Sequence, residues 1–213
     1  MKAVVIGSTG LVGNALLDKL LNDSDFSEVV AITRHEIKKE SSKLKQIIIK
    51  SLEELSVIEN QIKGDAFFCC LGTTIKTAGS QDNFRKVDQQ AVIEFAKIAK
   101  NKNANIFIVV TAQGANSSSG IFYNKVKGEV EDSLKKMNLN KLVIMKPALL
   151  VGDRIENRKI EKVLIGTFQM IAPILPKNIS KRIGTNIYAL SEKMISLAKS
   201  NQEKILIVGP KEI

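Results

Sequence analysis

The chain has no tryptophan, one histidine and two cysteines among its 213 residues. A single histidine, His35, excludes a His-based catalytic triad and a His-rich metal site. The cysteines, Cys69 and Cys70, are adjacent. Neighbours on a strand point to opposite faces, which disfavours an ordinary disulfide between them. Two cysteines also make no disulfide framework and no zinc set, so the expected setting is cytoplasmic. No apolar run approaches the roughly 18 residues that span a bilayer, so no membrane span is expected. The opening run Ala3-Val4-Val5-Ile6 is too short for a signal peptide and meets glycine at once. It reads as a buried strand.

What is present suits one globular domain: 44% apolar and 25% charged residues over this length. The formal charge is +10. Lysines cluster at Lys38, Lys39, Lys43, Lys45 and Lys50, and Lys177, Lys181 and Arg182 form a second group. Aromatics make up only 5%, and no recognition-helix signature occurs, so specific nucleic-acid binding is not expected. A basic surface equally attracts a phosphate-rich small molecule.

Short apolar runs alternate with longer segments of helical period. That is the pattern of a parallel sheet with crossover helices. Strands are expected near 2–7, 28–33, 46–49, 65–71, 105–111, 141–146 and 204–208. Helices are expected near 10–22, from an Asp82 N-cap through Phe84, Val87, Ala91, Phe95 and Ile98, near 120–137, and across Ile187, Leu190, Met194 and Leu197. The stretch 152–185 breaks the alternation and holds Pro173, Pro176 and Gly184. The fold class is therefore α/β: a Rossmann-type, doubly wound, mostly parallel sheet in a single domain, 1–213. The 152–185 stretch is expected to form a small lid-like region beside the sheet, within a substrate-side region over 152–203.

The first strand runs into Gly7-Ser8-Thr9-Gly10-Leu11-Val12-Gly13 and then a helix. Gly7 permits a tight turn, Gly10 a close approach of a pyrophosphate, and Gly13 close packing of helix on sheet. The helix start offers unpaired N–H groups and a positive dipole end to an anion. The spacing is G-x-x-G-x-x-G, and the strand and helix around it supply the context that a glycine pattern needs. The second strand ends Thr33-Arg34-His35-Glu36. An arginine there suits a ribose 2′-phosphate, so NADP(H) is favoured, while Glu36 keeps NAD(H) open.

Tyr123 and Lys127 stand four apart on the expected third helix and share a face. Taken alone, that spacing equally fits a plain amphipathic helix. Taken with the glycine loop and Lys146-Pro147, in this order, the chain resembles the short-chain dehydrogenase/reductase superfamily. Within it, the chain is most similar to the atypical branch of Tat-interacting-protein-like oxidoreductases. That likeness is carried by Cys69-Cys70-Leu71-Gly72-Thr73-Thr74, Ala78-Gly79, Val87-Asp88, Gln113-Gly114-Ala115-Asn116, the segment from Tyr123 to Glu131, and the segment from Pro147 to Arg154.

The resemblance implies roles. Gly7, Ser8, Thr9, Gly10, Leu11 and Val12 would line the pyrophosphate, and Arg34 would meet the adenosine phosphate. Leu71 and Gly72 would pass the adenine ribose, Leu149 and Leu150 would flank the nicotinamide, and Arg158 would reach the cofactor from the next loop. Tyr123 would exchange the substrate's proton. Lys127 would hold the nicotinamide ribose and ease ionisation of the tyrosine. The family's Ser-Ser before the Gly-Ala turn is Thr111-Ala112 here, so Thr111 is the expected second hydroxyl donor. Asp88 stands at the superfamily's helix asparagine. The implied function is NADP-dependent hydride transfer to or from a small carbonyl or alcohol substrate. The alternatives are a non-catalytic, NADPH-responsive regulatory or scaffold protein, and a sugar-nucleotide epimerase or dehydratase. The short carboxy-terminal part disfavours the last.

Overall fold

The computed structural model describes residues 1–152, 184–200 and 203–213. Its centre is a seven-stranded sheet, all parallel, built from the apolar runs. The strands are β1 (Lys2–Ile6), β2 (Glu28–Thr33), β3 (Leu44–Ile48), β4 (Ala66–Cys69), β5 (Ile106–Val110) and β6 (Leu142–Met145). After β6 come two short strands, β7 (Leu150–Val151) and β8 (Thr185–Asn186), paired only with each other, and then β9 (Ile205–Val208). The main order is β3-β2-β1-β4-β5-β6-β9. Ile6 thus lies between Ile32 on one side and Cys69 on the other.

Six helices occur among the described residues: α1 (Leu11–Asn22), α2 (Ile75–Ala78), α3 (Gln81–Arg85), α4 (Ala91–Asn101), α5 (Phe122–Lys136) and α6 (Ile187–Lys199). The inner strands β1, β2, β4, β5 and β6 are covered on both faces, which explains their continuous apolar character. One face packs Ala15, Leu16 and Leu20 of α1 and Leu190 and Met194 of α6 onto Ala3, Val5 and Phe68. The other packs Phe95 of α4 and Val130 and Leu134 of α5 onto Val4, Phe67 and Phe107. There Phe95 meets Phe67 and Phe107 with ring centroids 5.3 and 5.8 Å apart. No helix among the described residues is long and apolar enough to cross a membrane.

The main-sheet strands lie within two residues of the expected runs, β3 beginning two residues earlier than expected, while the short pair β7 and β8 falls outside them. The second helical segment differs. Ser80, not Asp82, is its cap, with Oγ accepting from the Asn83 N–H at 3.1 Å. The segment is also interrupted by a π turn over Lys86–Gln90 between α3 and α4. A π turn widens the helix locally, and within it Asp88 lies wholly buried. The expected late helix is α6, whose Ile187, Leu190, Met194 and Leu197 pack with α1 as part of the core. Residues 153–183, with Pro173, Pro176, Arg158 and the second lysine group, lie outside the described residues.

Candidate cofactor and active site

The sheet's strand order reverses direction between β1 and β4, since β2 and β3 lie to one side and β5 and β6 to the other. Loops leaving the carboxyl ends of two such strands diverge and open a crevice. Gly7 leaves β1 with φ +80°, a left-handed conformation that glycine adopts without strain. A side chain there would also stand 2.5 Å from the Cys70 carbonyl oxygen. A methyl on Gly13 would run into the Gly7 carbonyl, so α1 sits tight on the loop only because Gly13 has none. The Gly7 carbonyl accepts the Gly10 N–H at 3.0 Å and closes the turn.

Gly10 caps α1 without a side-chain hydrogen bond, and the first turn carries no acidic residue. The N–H groups of Leu11, Val12 and Gly13 therefore point out of the helix start without a carbonyl one turn back. Beside them the Ser8 hydroxyl is buried and has no hydrogen-bond partner. A buried hydroxyl left unpaired costs on the order of 1–3 kcal/mol. This cradle of amides, glycines and an orphaned hydroxyl has the chemistry of a pyrophosphate site.

The other expected cofactor residues come to the same sheet end. Leu71 and Gly72 continue β4 past Gly7, and Leu149 and Leu150 follow β6. Gly152 lies against Ile187 and Leu11, so this loop closes over the start of α1. Arg34 follows β2, is exposed, and pairs with no carboxylate among the described residues. Arg158 lies outside the described residues.

Helix α5 brings Tyr123 and Lys127 to the crevice. The preceding loop is fastened to it: Asn116 N–H donates to the Asn124 carbonyl at 3.0 Å, and Gly128 lets residues 116 and 117 lie directly on the helix. The Tyr123 ring rests on buried Phe84, centroids 5.7 Å apart. Lys127 is buried too, and its Nζ lies 2.8 Å from Asp88 Oδ1. The other oxygen, Oδ2, accepts the Thr73 N–H at 2.9 Å. Burial by itself would push the ammonium pKa down. Asp88 and the Tyr123 phenol outweigh it and hold Lys127 above the usual lysine value. The π turn, Gly72-Thr73 and α5 thus meet at one buried charge pair.

Thr111 directly follows β5 and has partners of its own. Its hydroxyl donates to Glu131 Oε1 at 2.7 Å and lies 3.3 Å from the Met145 carbonyl. Glu131 lies two turns beyond Tyr123, about 12 Å along the helix axis at about 1.5 Å per residue. The expected second donor is thus turned toward a buried carboxylate, and Ala112 has no hydroxyl to replace it. Glu131 Oε2 in turn takes Lys146 Nζ at 3.1 Å, and Lys146 also donates to the Ala115 carbonyl at 3.2 Å. Sequence reasoning missed Glu131. The available signal was a second ionisable residue four positions beyond Lys127, on the helix's inner face. Cys69 ends β4 and Cys70 follows it, and neither has thiolate character. Burial pushes the Cys69 thiol up to about 12 and raises Cys70 as well. An open cleft between α1 and α6 lies away from this crevice, and its Asp18, Lys19, Asp23, Glu192 and Lys199 are all ion-paired.

The sequence model of an NAD(P)H-binding family matches residues 7–163. Among curated relatives, the mitochondrial protein FMP52-1 of Scheffersomyces stipitis is 38% identical over 156 residues, covering 72% of this chain and 69% of that one. The mitochondrial protein FMP52 of Eremothecium gossypii is 31% identical, covering 100% and 96%. Protein HTATIP2 of Rattus norvegicus is 29% identical, covering 93% and 83%. Among solved structures, the oxidoreductase ylbE of Lactococcus lactis matches with a TM-score of 0.69 at 18% identity, covering 98% of this chain and 90% of that one. MoeE5 in complex with UDP-glucose and NAD matches with a TM-score of 0.69 at 13% identity, covering 98% and 75%. These structural likenesses show a Rossmann fold. The relatives also correct the expected compartment: the two fungal proteins are named as mitochondrial, against a cytoplasmic setting. The cysteine argument excluded a disulfide scaffold only, and that does not separate one reducing compartment from another.

Proposed function

The chain belongs to the NAD(P)H-binding family, and from that premise we propose that it is an NADP-dependent oxidoreductase of the atypical short-chain dehydrogenase type. Its substrate class is a small carbonyl or the corresponding alcohol. The observation that carries this reading is a buried, charged Lys127 one helical turn from Tyr123, at the sheet end that also holds the glycine cradle.

The residues divide the work. The amides of α1's first turn and the Ser8 hydroxyl hold the pyrophosphate, and Arg34 meets the 2′-phosphate with charge-assisted hydrogen bonds. An ammonium has three donors, so Lys127 can pair with Asp88 and still offer N–H groups to a ribose hydroxyl. When bound, the nicotinamide supplies or accepts the hydride. Tyr123 exchanges the proton at the substrate oxygen and donates a hydrogen bond to it as charge builds there. Leu149 and Leu150 flank the ring. Thr111 supports this machinery through Glu131 and does not meet the substrate. For the compartment, the fungal relatives' names favour a mitochondrial setting.

The second reading is a non-catalytic NADPH-responsive protein. The observation that favours it is the Thr111 hydroxyl held on Glu131, which leaves Tyr123 as the one hydroxyl donor identified at the reacting oxygen. A carbonyl panel with NADPH consumption as readout, run beside thermal melting with NADPH and NADH, separates the two. The enzyme reading expects turnover that Tyr123→Phe abolishes with the NADPH-induced melting shift intact. A melting shift without turnover across the panel supports the sensor. No shift with either nucleotide refutes both.

A further inference from the structure

The crossover from β2 to β3, residues 34–43, contains no helix. Its backbone has no ladder of its own, and buried backbone groups need partners from elsewhere. Gln46, on β3, supplies two of them. Its Oε1 accepts the Ile37 N–H at 2.8 Å, and its Nε2 donates to the Ile37 carbonyl at 2.9 Å. That carbonyl also accepts the Lys39 N–H at 2.9 Å, and the Ile37 side chain is buried in the core. At the other end of the turn, the Thr33 hydroxyl donates to the His35 carbonyl at 2.8 Å and faces the His35 N–H at 3.4 Å. The loop's far part is tied to α1: Lys39 pairs with Asp18, and Lys43 donates to the Asp23 carbonyl at 2.8 Å.

Residues 34–37 are therefore clamped at both ends, and only the side chains of Arg34, His35 and Glu36 stand exposed. Arg34 and Glu36 have opposite preferences: a guanidinium suits a 2′-phosphate, and a carboxylate suits free ribose hydroxyls. Which of them faces the ribose depends on the path of the loop. We propose that Gln46, through its two hydrogen bonds to Ile37, is the positioning residue that presents Arg34 and withholds Glu36, and so sets the preference for NADPH over NADH.

This rests on the reading of Arg34 as the phosphate partner, and the test separates the two. Dissociation constants for NADPH and NADH are measured by calorimetry on the full chain. The proteins are wild type, Gln46→Met, Arg34→Ala and the double variant. Gln46→Met keeps the side chain's length and removes both hydrogen bonds. It is expected to weaken NADPH about tenfold, the effect of leaving the binding-competent loop about one-tenth populated, with NADH changed less than about twofold. Once Arg34 is gone the clamp has nothing to present, so the double variant is expected to match Arg34→Ala for NADPH. Thr33→Val opens the other end of the clamp and is expected to move the ratio the same way; it carries the test if Gln46→Met does not fold. Equal losses for both nucleotides, or losses that add in the double variant, overturn the proposal while Arg34→Ala stays selective. If Arg34→Ala itself weakens both nucleotides alike, the reading of Arg34 falls and this proposal with it.

Discussion

Replacing Asp88 by Asn tests the charge pair at the heart of the site. The change keeps the side chain's size and an oxygen for the Thr73 N–H. It removes the negative charge 2.8 Å from a buried ammonium. Breaking a buried pair from one side costs about 3–5 kcal/mol, because the remaining charge is left desolvated and uncompensated. In a domain of this size each kcal/mol moves the melting midpoint by about 2–4 °C, so Asp88→Asn should melt roughly 6–20 °C lower at pH 7. Adding Lys127→Met removes the stranded charge and should recover most of that loss.

The pH dependence carries a second signature of the same pair. In the wild type the folded-state pKa of Lys127 is raised. Its stabilising contribution is then complete below the ordinary lysine value, about 10.4, and is lost as pH rises through the folded value. In Asp88→Asn burial is left without its main opponent, so the folded pKa drops below the ordinary value. The folded variant then binds fewer protons than the unfolded chain, and its stability rises with pH. Chemical denaturation of both proteins from pH 7 to 10 should show the gap between them narrowing. A gap under about 1 kcal/mol at pH 7, or a double variant as unstable as Asp88→Asn, would refute the argument that Asp88 compensates Lys127.

Gly13→Ala puts a methyl into the Gly7 carbonyl; the loop must shift, and the melting shift induced by NADPH should vanish while a folded protein remains by circular dichroism. Thr111→Val removes the donor that Glu131 Oε1 accepts; a buried acceptor left short of its partner should cost about 1–3 kcal/mol in urea titration, with NADPH affinity unchanged. Glu129 is held below the usual carboxylate range by its hydrogen bond from Arg85, 2.5 Å away, against the opposing effect of burial. A depressed carboxylate stabilises above its unfolded value, about 4.3, and loses that contribution as pH falls through the folded value. Glu129→Gln should therefore be less stable than wild type at pH 7, by under about 1 kcal/mol for a partly exposed pair, and equal to it once Glu129 is protonated in both the folded and unfolded wild type, at about pH 2.

The fold was readable where burial is two-sided. Ile106–Val110 and Leu142–Met145 are buried throughout, and such runs announce a central strand of a parallel sheet whatever surrounds them. At the edge the signal weakens. Leu44–Ile48 mixes half-buried and exposed positions, and its apolar end, Ile47-Ile48-Ile49, drew the start of the expected strand two residues too far along. The segment after Ser80 failed for another reason. Ser80 and Asp82 are both good caps, and only the loop before them decides which is used. Asp88, an inward charge, breaks the apolar period at the place where the helix widens. The clamp by Gln46 was invisible, since a glutamine on a strand says nothing of a backbone amide nine residues away.

The site divides along the same line. Gly7 to Gly13, and Tyr123 with Lys127, are readable because their geometry is local: a strand, a turn and a helix fix it within a few residues. Thr111, Glu131 and Lys146 come from β5's end, α5 and β6's end, and meet only once the sheet is built. A lone hydroxyl near the right place has two uses, to meet a substrate or to satisfy a buried carboxylate, and sequence cannot choose between them. The rule that legitimised Tyr123 and Lys127 as a pair applies once more down the helix, at Glu131. Charged residues are rarely buried unless paired. Two of them, Lys127 and Glu131, on the sheet-facing side of one helix demand partners of opposite sign from neighbouring elements. Asp88 on the π turn and Lys146 after β6 are those partners. Helix α5 is thus held in place along one stripe by one buried and one partly buried ion pair. Their long-range partners fix the face that α5 turns to the sheet, which the local four-residue spacing could suggest but not supply.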